Sequence, residues 1–490
     1  MAEGRGSFNE AQEPQQAAGE LLTLERDHKG EAAFRQVGWL IAGSMIVLFV
    51  CSSVRHRLFQ STAFDLGFFD QATYLISQGQ PPIISFWGFH VMGGHADWIL
   101  YPIALFYKLY PSVYWLLAIQ AIALSLGALP TWYLARQAGL KPDLAKAVAI
   151  AYLLYPLIFN LNLFDFHPEV IALPLFLTSV LAARAKQIGW FTLCIVLILG
   201  CRDALALTVA ALGIWLALFE RRRGSGAIAV LLGISWFLIA TKLVIPAFRP
   251  GGVESVWRFA YLGNSLPEIL LNLVLKPHLV LPALFTLKNL EYLVLLFAPV
   301  AWGLSFAHLA PLLPLLPTLG MNLLSTVENQ KDLLHQYSLP AVPFLLLAAI
   351  ASLSHGKGLL HHPRHIVLYS LVGFLALAKF GYFGSRYLAA LDTWQATRTA
   401  LTYIDSNGSI LTTAYITPHV THRPVVKVAI QGSEDDDLSQ FQYVLLNLRH
   451  PGWMSDRAVQ QTLVDRLQQD SRFKQQLHQD DVFLFVHGKG

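Results

Sequence analysis

Charge is scarce in this chain. Only 13% of its 490 residues are Asp, Glu, Lys or Arg, while 54% are hydrophobic. An average soluble domain carries about twice that share of charge. Such a chain cannot clothe a water-facing surface, so most of it faces lipid or other helices. Cysteine is nearly missing as well. Cys51, Cys194 and Cys201 lie in or beside apolar runs, with no CxxC and no metal-type spacing. That pattern excludes a disulfide framework and a thiolate metal site. No Lys/Arg-rich run with interleaved aromatics is present, so no nucleic-acid partner is expected. No GxGxxG or P-loop occurs either. The net charge of +4 is small, and its placement matters more than its size.

Long apolar runs are what the chain has. A span needs about 20 such residues. The candidates are 36–54, 112–135, 144–161, 168–184, 187–201, 204–219, 226–246, 289–307, 309–325, 338–354 and 365–383, about eleven by this length criterion. The polar stretch 1–35, rich in Glu, Gln, Ala and Gly, reads as a disordered cytoplasmic tail. It is too long and too acidic for a signal peptide. Residues 97–110 read as an amphipathic helix at the membrane surface. In the loop 247–288, SLPEILLNLVLKP reads as a second one, opened by Ser265 and closed before Pro277. After residue 383 the pattern changes. SILTTA, VVKVAI, YVLLNL and DVFLFV are strand-like runs, separated by turns and a polar helical stretch, Ser455 to Gln479. The expected fold class is an all-α polytopic membrane protein over 36–383, followed by a small α/β domain over 384–490.

Orientation follows from Lys and Arg in the short loops. Arg136, Lys141 and Lys146, then Arg184 and Lys186, then Arg221 to Arg223, then Lys357 and Arg364 all fall on one side. Placing them inside puts the N-terminus in the cytoplasm and the C-terminal domain outside the plasma membrane. Arg55 and Arg57 violate this rule, since they open the first outer loop, 55–111. The acids gather on the outer side, as an outward-facing polar cavity would require.

Four outer turns carry candidate chemistry. In FDLGFFDQ, Asp65 and Asp70 precede His95 and Asp97 of GGHADW. The plain alternative is that Asp65 caps the helix that follows. In NLNLFDFHPE, Asp165, His167 and Glu169 stand at alternate positions, and from an extended turn they would point one way. They suit sugar hydroxyls or, through Asp165 and Glu169, a divalent cation such as Mg or Mn. Arg202-Asp203 lies in a turn between two short apolar runs, so it sits below the surface. An ionisable pair there is a functional candidate, or else a self-contained ion pair. His335 and Tyr337 of ENQKDLLHQY begin another run and suit stacking on a bound group, or interface anchoring.

FDLGFFDQ, GGHADW, DFHPE, the Arg-Asp turn and HQYSLPAVPF together resemble the bacterial membrane family catalogued as domain of unknown function two-zero-seven-nine, over roughly residues 36–450. That family is similar in plan to the GT-C class of glycosyltransferases. The resemblance implies a GT-C-like helical bundle, a polyprenyl-phosphate sugar as donor, membrane lipids as surroundings and an acceptor of unknown identity. By that resemblance Asp65 matches the early-loop acid that serves as catalytic base, and Asp165 with Glu169 the second-loop acids. From the residues themselves, Asp70 stands second to Asp65 for catalysis, and His167, Arg202, Asp203, His95, Asp97, His335 and Tyr337 are candidate substrate-binding residues. Two other classes stay open at this level. One is a transporter or flippase for a lipid-linked or polar solute, and the other a non-catalytic membrane scaffold.

Overall fold

The structure, a computed structural model, describes residues 13–488, with side chains from residue 29 onward other than that of Glu254. The first helix, Glu13–Arg57, is 45 residues long. It therefore begins well inside the stretch expected as a disordered tail, of which residues 1–12 lie outside the described residues. Ala, Glu, Gln and Leu are good helix formers, and no proline after Pro14 interrupts the run into the first span.

Helix length does not confirm the eleven expected spans. Among the described residues six helices are long and apolar enough to cross a membrane: Lys29–Arg57, Tyr114–Gln137, Pro142–Phe164, Arg223–Phe248, Gln336–Ser354 and Pro363–Thr402. The pair Leu266–Leu275 and Pro277–Leu284, bent by 90°, would make a seventh if it counts as one span. The difference has two physical causes. Ile188–Leu199 and Leu205–Leu218 have 12 and 14 residues, or about 18 and 21 Å at 1.5 Å per residue, against a hydrocarbon layer of about 30 Å. Between 289 and 325, Pro299, Pro311 and Pro314 remove helix donors, and the run after Leu287–Phe297 breaks into the short 3₁₀ pieces Ala298–Gly303, Phe306–His308 and Ala310–Leu315.

The helices pack through small residues where backbones meet. A Cβ at Gly213 would stand 2.5 Å from the Gly226 carbonyl oxygen, and one at Gly233 would stand 2.7 Å from that of Ala206. This contact joins Leu205–Leu218 to Arg223–Ile239 at a separation only glycine permits. The amphipathic helix expected after Ser265 runs Leu266–Leu275, with Ser265 accepting a hydrogen bond from the Glu268 amide. A short helix, Leu100–Leu109, lies within the segment 97–110.

The C-terminal part holds a five-stranded sheet in the order Val426–Val428, Ile410–Thr412, Tyr443–Asn447, Val482–His487, Phe473–Gln479. The first three strands run parallel, and the last two pair antiparallel. Sequence pattern had extended the polar helix to Gln479. It ends at Gln469, and FKQQLHQ is an edge strand instead. Its mostly exposed, Gln-rich residues give no apolar alternation to read.

The sheet is seated on the first loop of the membrane part. Ala63 N donates to the Ala414 carbonyl at 3.0 Å, and Ser85 Oγ donates to Val426 O at 2.7 Å. The imidazoles of His56 and His419 stack at 4.0 Å. Asp70 completes the seat. It is buried, accepts from Tyr107 Oη at 2.5 Å and from Thr421 Oγ1, and faces His422 Nε2 at 3.2 Å.

Gly213→Ala is expected to cost about 1–3 kcal/mol by overpacking, seen as a lower melting temperature in detergent. Gly224→Ala, where nothing lies within 4 Å, is expected to leave that temperature unchanged or raise it.

Candidate active site

The turn after Pro156–Phe164 organises the site. Asp165, the first residue past that helix, has φ of +135°, a conformation that side chains other than glycine resist at a cost on the order of 1–3 kcal/mol. Its carboxylate is held on both sides. Thr62 N donates to Oδ2 at 2.9 Å and Arg55 Nη1 lies 3.0 Å from Oδ1. Arg55 also donates to the Gln60 carbonyl through Nε at 3.0 Å and Nη2 at 2.7 Å, and to the Leu163 carbonyl. One guanidinium thus fastens the end of the first span to the end of the third.

Asp65 lies beside this pair, in a π-type turn, Ala63–Gly67, that leads into the helix Phe68–Ser77. It caps nothing. Its Oδ2 accepts from Thr62 Oγ1 at 2.9 Å and its Oδ1 faces His167 Nε2 at 3.3 Å. The other ring nitrogen, Nδ1, faces the Asp165 carbonyl at 3.3 Å. Both nitrogens meet acceptors, an environment that favours the protonated ring. Burial opposes that charge, but the Asp65 carboxylate outweighs it and raises the His167 pKa. In return, burial pushes Asp65 up while the His167 and Thr62 hydrogen bonds pull it down, with a net fall. Asp165 goes the other way. Burial, with Asp65 close by, lifts it to about 6 despite Arg55.

A second cluster starts from the same turn. Glu169 pairs with Arg202. Arg202 Nη2 donates to His95 Nε2 at 2.8 Å, and His95 Nδ1 faces Asp203 Oδ1 at 3.1 Å. His95 accepts at one nitrogen and donates at the other, which makes it neutral. Asp97 is buried nearby with Oδ1 unpartnered among the described residues, and burial together with Glu169 pushes its carboxyl well above the usual range.

Two cavities open on these groups. The larger, of about 810 Å³, is lined by Asp65, Arg55, Lys379, Arg386, Asp332 and His335, and by the rings of Phe164, Trp257, Tyr337, Tyr382, Phe383, Tyr387, Tyr415 and Trp453. Tyr415 and Trp453 come from the sheet part. Of the pair Asp65 and Asp165, Asp65 is the open acid, with a side chain 23% exposed against 1% for Asp165 behind it; Asp332 across the lining is 33% exposed. His335 Nδ1 sits 2.7 Å from Asp332 Oδ2. The smaller cavity holds His95, Glu169, Arg202, Asp203 and Arg258, and shares Gln336 and Tyr337 with the larger.

Of the residues singled out from sequence, Asp65, His335 and Tyr337 face the large cavity. His95, Glu169, Arg202 and Asp203 face the small one, and Asp165 and His167 lie behind Asp65. Asp70 and Asp97 line neither cavity. The alternate acids of DFHPE do not point one way. Asp165 is taken up by Arg55 and Glu169 by Arg202, and among the described residues no group of three or more His, Cys, Asp or Glu is placed to hold a metal ion. These two carboxylates do not fit a shared Mg or Mn site. Lys379 and Arg386 were not legible. Asn160 of the same motif positions Lys379, accepting from its amide at 2.7 Å where Pro363–Leu377 gives way to Phe380–Ala389. Arg55 did carry a signal, its violation of the charge rule.

This architecture is shared with solved structures. Crystal structures of ArnT from Cupriavidus metallidurans match in the apo state with a TM-score of 0.55 and 13% identity, covering 93% of this chain and 98% of that one. The structure of the same protein bound to undecaprenyl phosphate matches with a TM-score of 0.52 and 13% identity, covering 92% and 98%. The two proteins share a fold over nearly their whole lengths. Residues 55–484 match the family described as predicted membrane protein (DUF2079), and the chain belongs to that family. No curated protein matches it in sequence.

Asp165→Ala removes the acceptor of Thr62 N and of Arg55, which a protonated carboxyl would keep, and is expected to lower the melting temperature. Combining it with Arg55→Met should recover part of that loss, which thermal unfolding of the purified single and double variants would measure.

Proposed function

We propose that the protein is an integral membrane glycosyltransferase of the GT-C type. It moves a sugar from a polyprenyl-phosphate donor to an acceptor hydroxyl at the outer face of the bacterial plasma membrane, with the N-terminus cytoplasmic and the sheet part outside. One observation carries this reading: an ionised carboxylate, Asp65, opens into the same cavity as Arg55, Lys379 and Arg386 and a lining of aromatic rings. The undecaprenyl phosphate bound by ArnT supports it by likeness of fold, which alone does not define chemistry.

In this reading the acceptor oxygen bonds to the anomeric carbon as the carbon–oxygen bond to phosphate breaks, its electrons leaving on the phosphate. Asp65 takes the hydroxyl proton. His167 and Thr62 hold that carboxylate charged and aimed. The departing phosphate gathers negative charge, which Arg386 and Lys379 offset, the guanidinium by its paired donors. Tyr382 and Tyr415 fix that guanidinium, the latter at 3.0 Å. The rings provide flat apolar walls for a sugar or the start of a prenyl chain. Arg202, already held by Glu169 and His95, serves the acceptor side through Gln336 and Tyr337.

Asp65→Asn is expected to lower transfer by roughly 10²–10⁴-fold, read from the envelope glycans of a deletion strain complemented at equal expression. A wild-type glycan profile from that variant would remove Asp65 from the chemistry. Asp70→Asn is expected to lower thermal stability, because it loosens the seat of the sheet, and to spare the chemistry of whatever protein stays folded.

Acid should act first through Asp165. Its pKa is raised, so the folded chain takes up that proton more readily than the unfolded chain does. The fold gains relative stability at this residue as pH falls through about 6, the reverse of an ordinary salt-bridged acid. The same proton removes the partner of Arg55, so transfer is expected to fall on an acid limb near 6 rather than in the lower range where Asp65 titrates. Asp165→Asn, which mimics the protonated state, is expected to give a low rate that stays flat between about pH 5 and 7.

A further inference from the structure

A third cavity, of about 1010 Å³, lies at the other end of the third span. It opens between the starts of Pro142–Phe164 and Pro363–Thr402. Asp165, and with it the site above, follows the far end of Pro142–Phe164, roughly 30 Å away at 1.5 Å per residue. Nothing in the proposed transfer uses this cavity.

Its lining is ordered along both helices. At the mouth stand Lys141 and Lys146 from one element and His361, His362 and Arg364 from the other. The one acid in the lining, Asp143, lies 3.2 Å from Lys146 Nζ, which also donates to Gln36 Oε1 at 2.7 Å, so Lys141 and Arg364 carry the net positive charge of the rim. Along the first helix the apolar lining is Leu144, beside Lys146, then Ala147 and Ile150, and along the second Val367, Leu368 and Leu371. Leu144, Ala147 and Ile150 stand three apart, and Leu371 stands three and four residues from Leu368 and Val367, which puts each set on one side of its helix. Leu368 and Leu371 are 59% and 40% exposed. A cationic rim followed by an apolar wall running into the membrane is the complement of a phosphate headgroup followed by acyl chains. Free phosphate would need only the rim, and a neutral lipid only the wall.

We propose that this cleft is a binding site for an anionic phospholipid, with the phosphate held by Lys141, Lys146 and Arg364 and an acyl chain laid along Leu144–Ile150 and Val367–Leu371. Basic pockets between membrane helices are the setting in which anionic headgroups are selected. The occupant ties together two helices that are distant in sequence, at the end opposite the cavity of Asp65.

The test uses the full-length protein, delipidated in a mild detergent. Native mass spectrometry and thermal shift are read on adding phosphatidylglycerol, phosphatidylcholine with the same chains, or glycerol 3-phosphate. Phosphatidylglycerol is expected to bind most tightly and to raise the melting temperature. Lys141→Gln/Lys146→Gln/Arg364→Gln is expected to weaken it on the order of a hundredfold, each cation counting for about fivefold, with the lipid-free melting temperature unchanged. If the triple variant does not fold, Arg364→Gln alone is expected to show about fivefold. Equal binding of the two lipids, competition by glycerol 3-phosphate as strong as that of the lipid, or undiminished binding in a folded variant would each overturn the proposal.

Discussion

The ion pair between Arg55 and Asp165 is the constraint on which the rest of the site depends. Two charges taken out of water gain little stability from one another, so the value of this pair lies in what it fixes. Arg55 ends the first span and reaches the carbonyls of Gln60 and Leu163 as well as the acid. Its fork therefore sets the distance between two spans and the path of the loop joining them to Asp65. It also offsets the strain at Asp165, whose positive φ turns the chain so that His167 faces Asp65 and Glu169 faces Arg202. Two clusters of different character, an imidazole against a carboxylate and a neutral imidazole against a guanidinium, are held by one five-residue turn. Neither can shift without moving the other.

That turn and the FDLG stretch were the most legible parts of the chain, because acids and imidazoles stand out against apolar surroundings. Arg55 was legible in a different way, as a cation where the charge rule forbids one. The sequence ranked Asp65 above Asp70 in FDLGFFDQ but not for the reason the structure gives. Asp65 opens to the cavity, while Asp70 is spent on Tyr107, Thr421 and His422 at the seat of the sheet. That difference depends on residues some 350 positions away in the chain, which no local pattern reports. Lys379 and Arg386 were hidden for a related reason. They enter the cavity from a break in an apolar helix pinned by Asn160, and neither is part of a motif. Span counting and helix length part where apolar runs are short or proline-rich, since hydropathy measures composition and not helix length.

The sheet part is built into the site and does not hang beside it. Its loops supply Tyr415 and Trp453 to the large cavity, and its residues Thr421 and His422 bury a carboxylate from the first loop. Reading 384–490 as a separate unit, as the change of composition invites, misses this. The membrane part and the sheet each contribute part of one wall.

The two short helices flanking Arg202 have an effect on their surroundings. Ile188–Leu199 turns Trp190, Leu193 and Val196 outward, yet it is about 12 Å shorter than the hydrocarbon it would have to match. Lipid beside it must thin or its neighbours must tilt, at a cost of a fraction of a kcal/mol per ångström. Where this flank meets lipid, a locally thinned bilayer beside the Arg202 turn is the expected response. A host membrane with thinner hydrocarbon would accommodate this flank with less distortion than a thicker one.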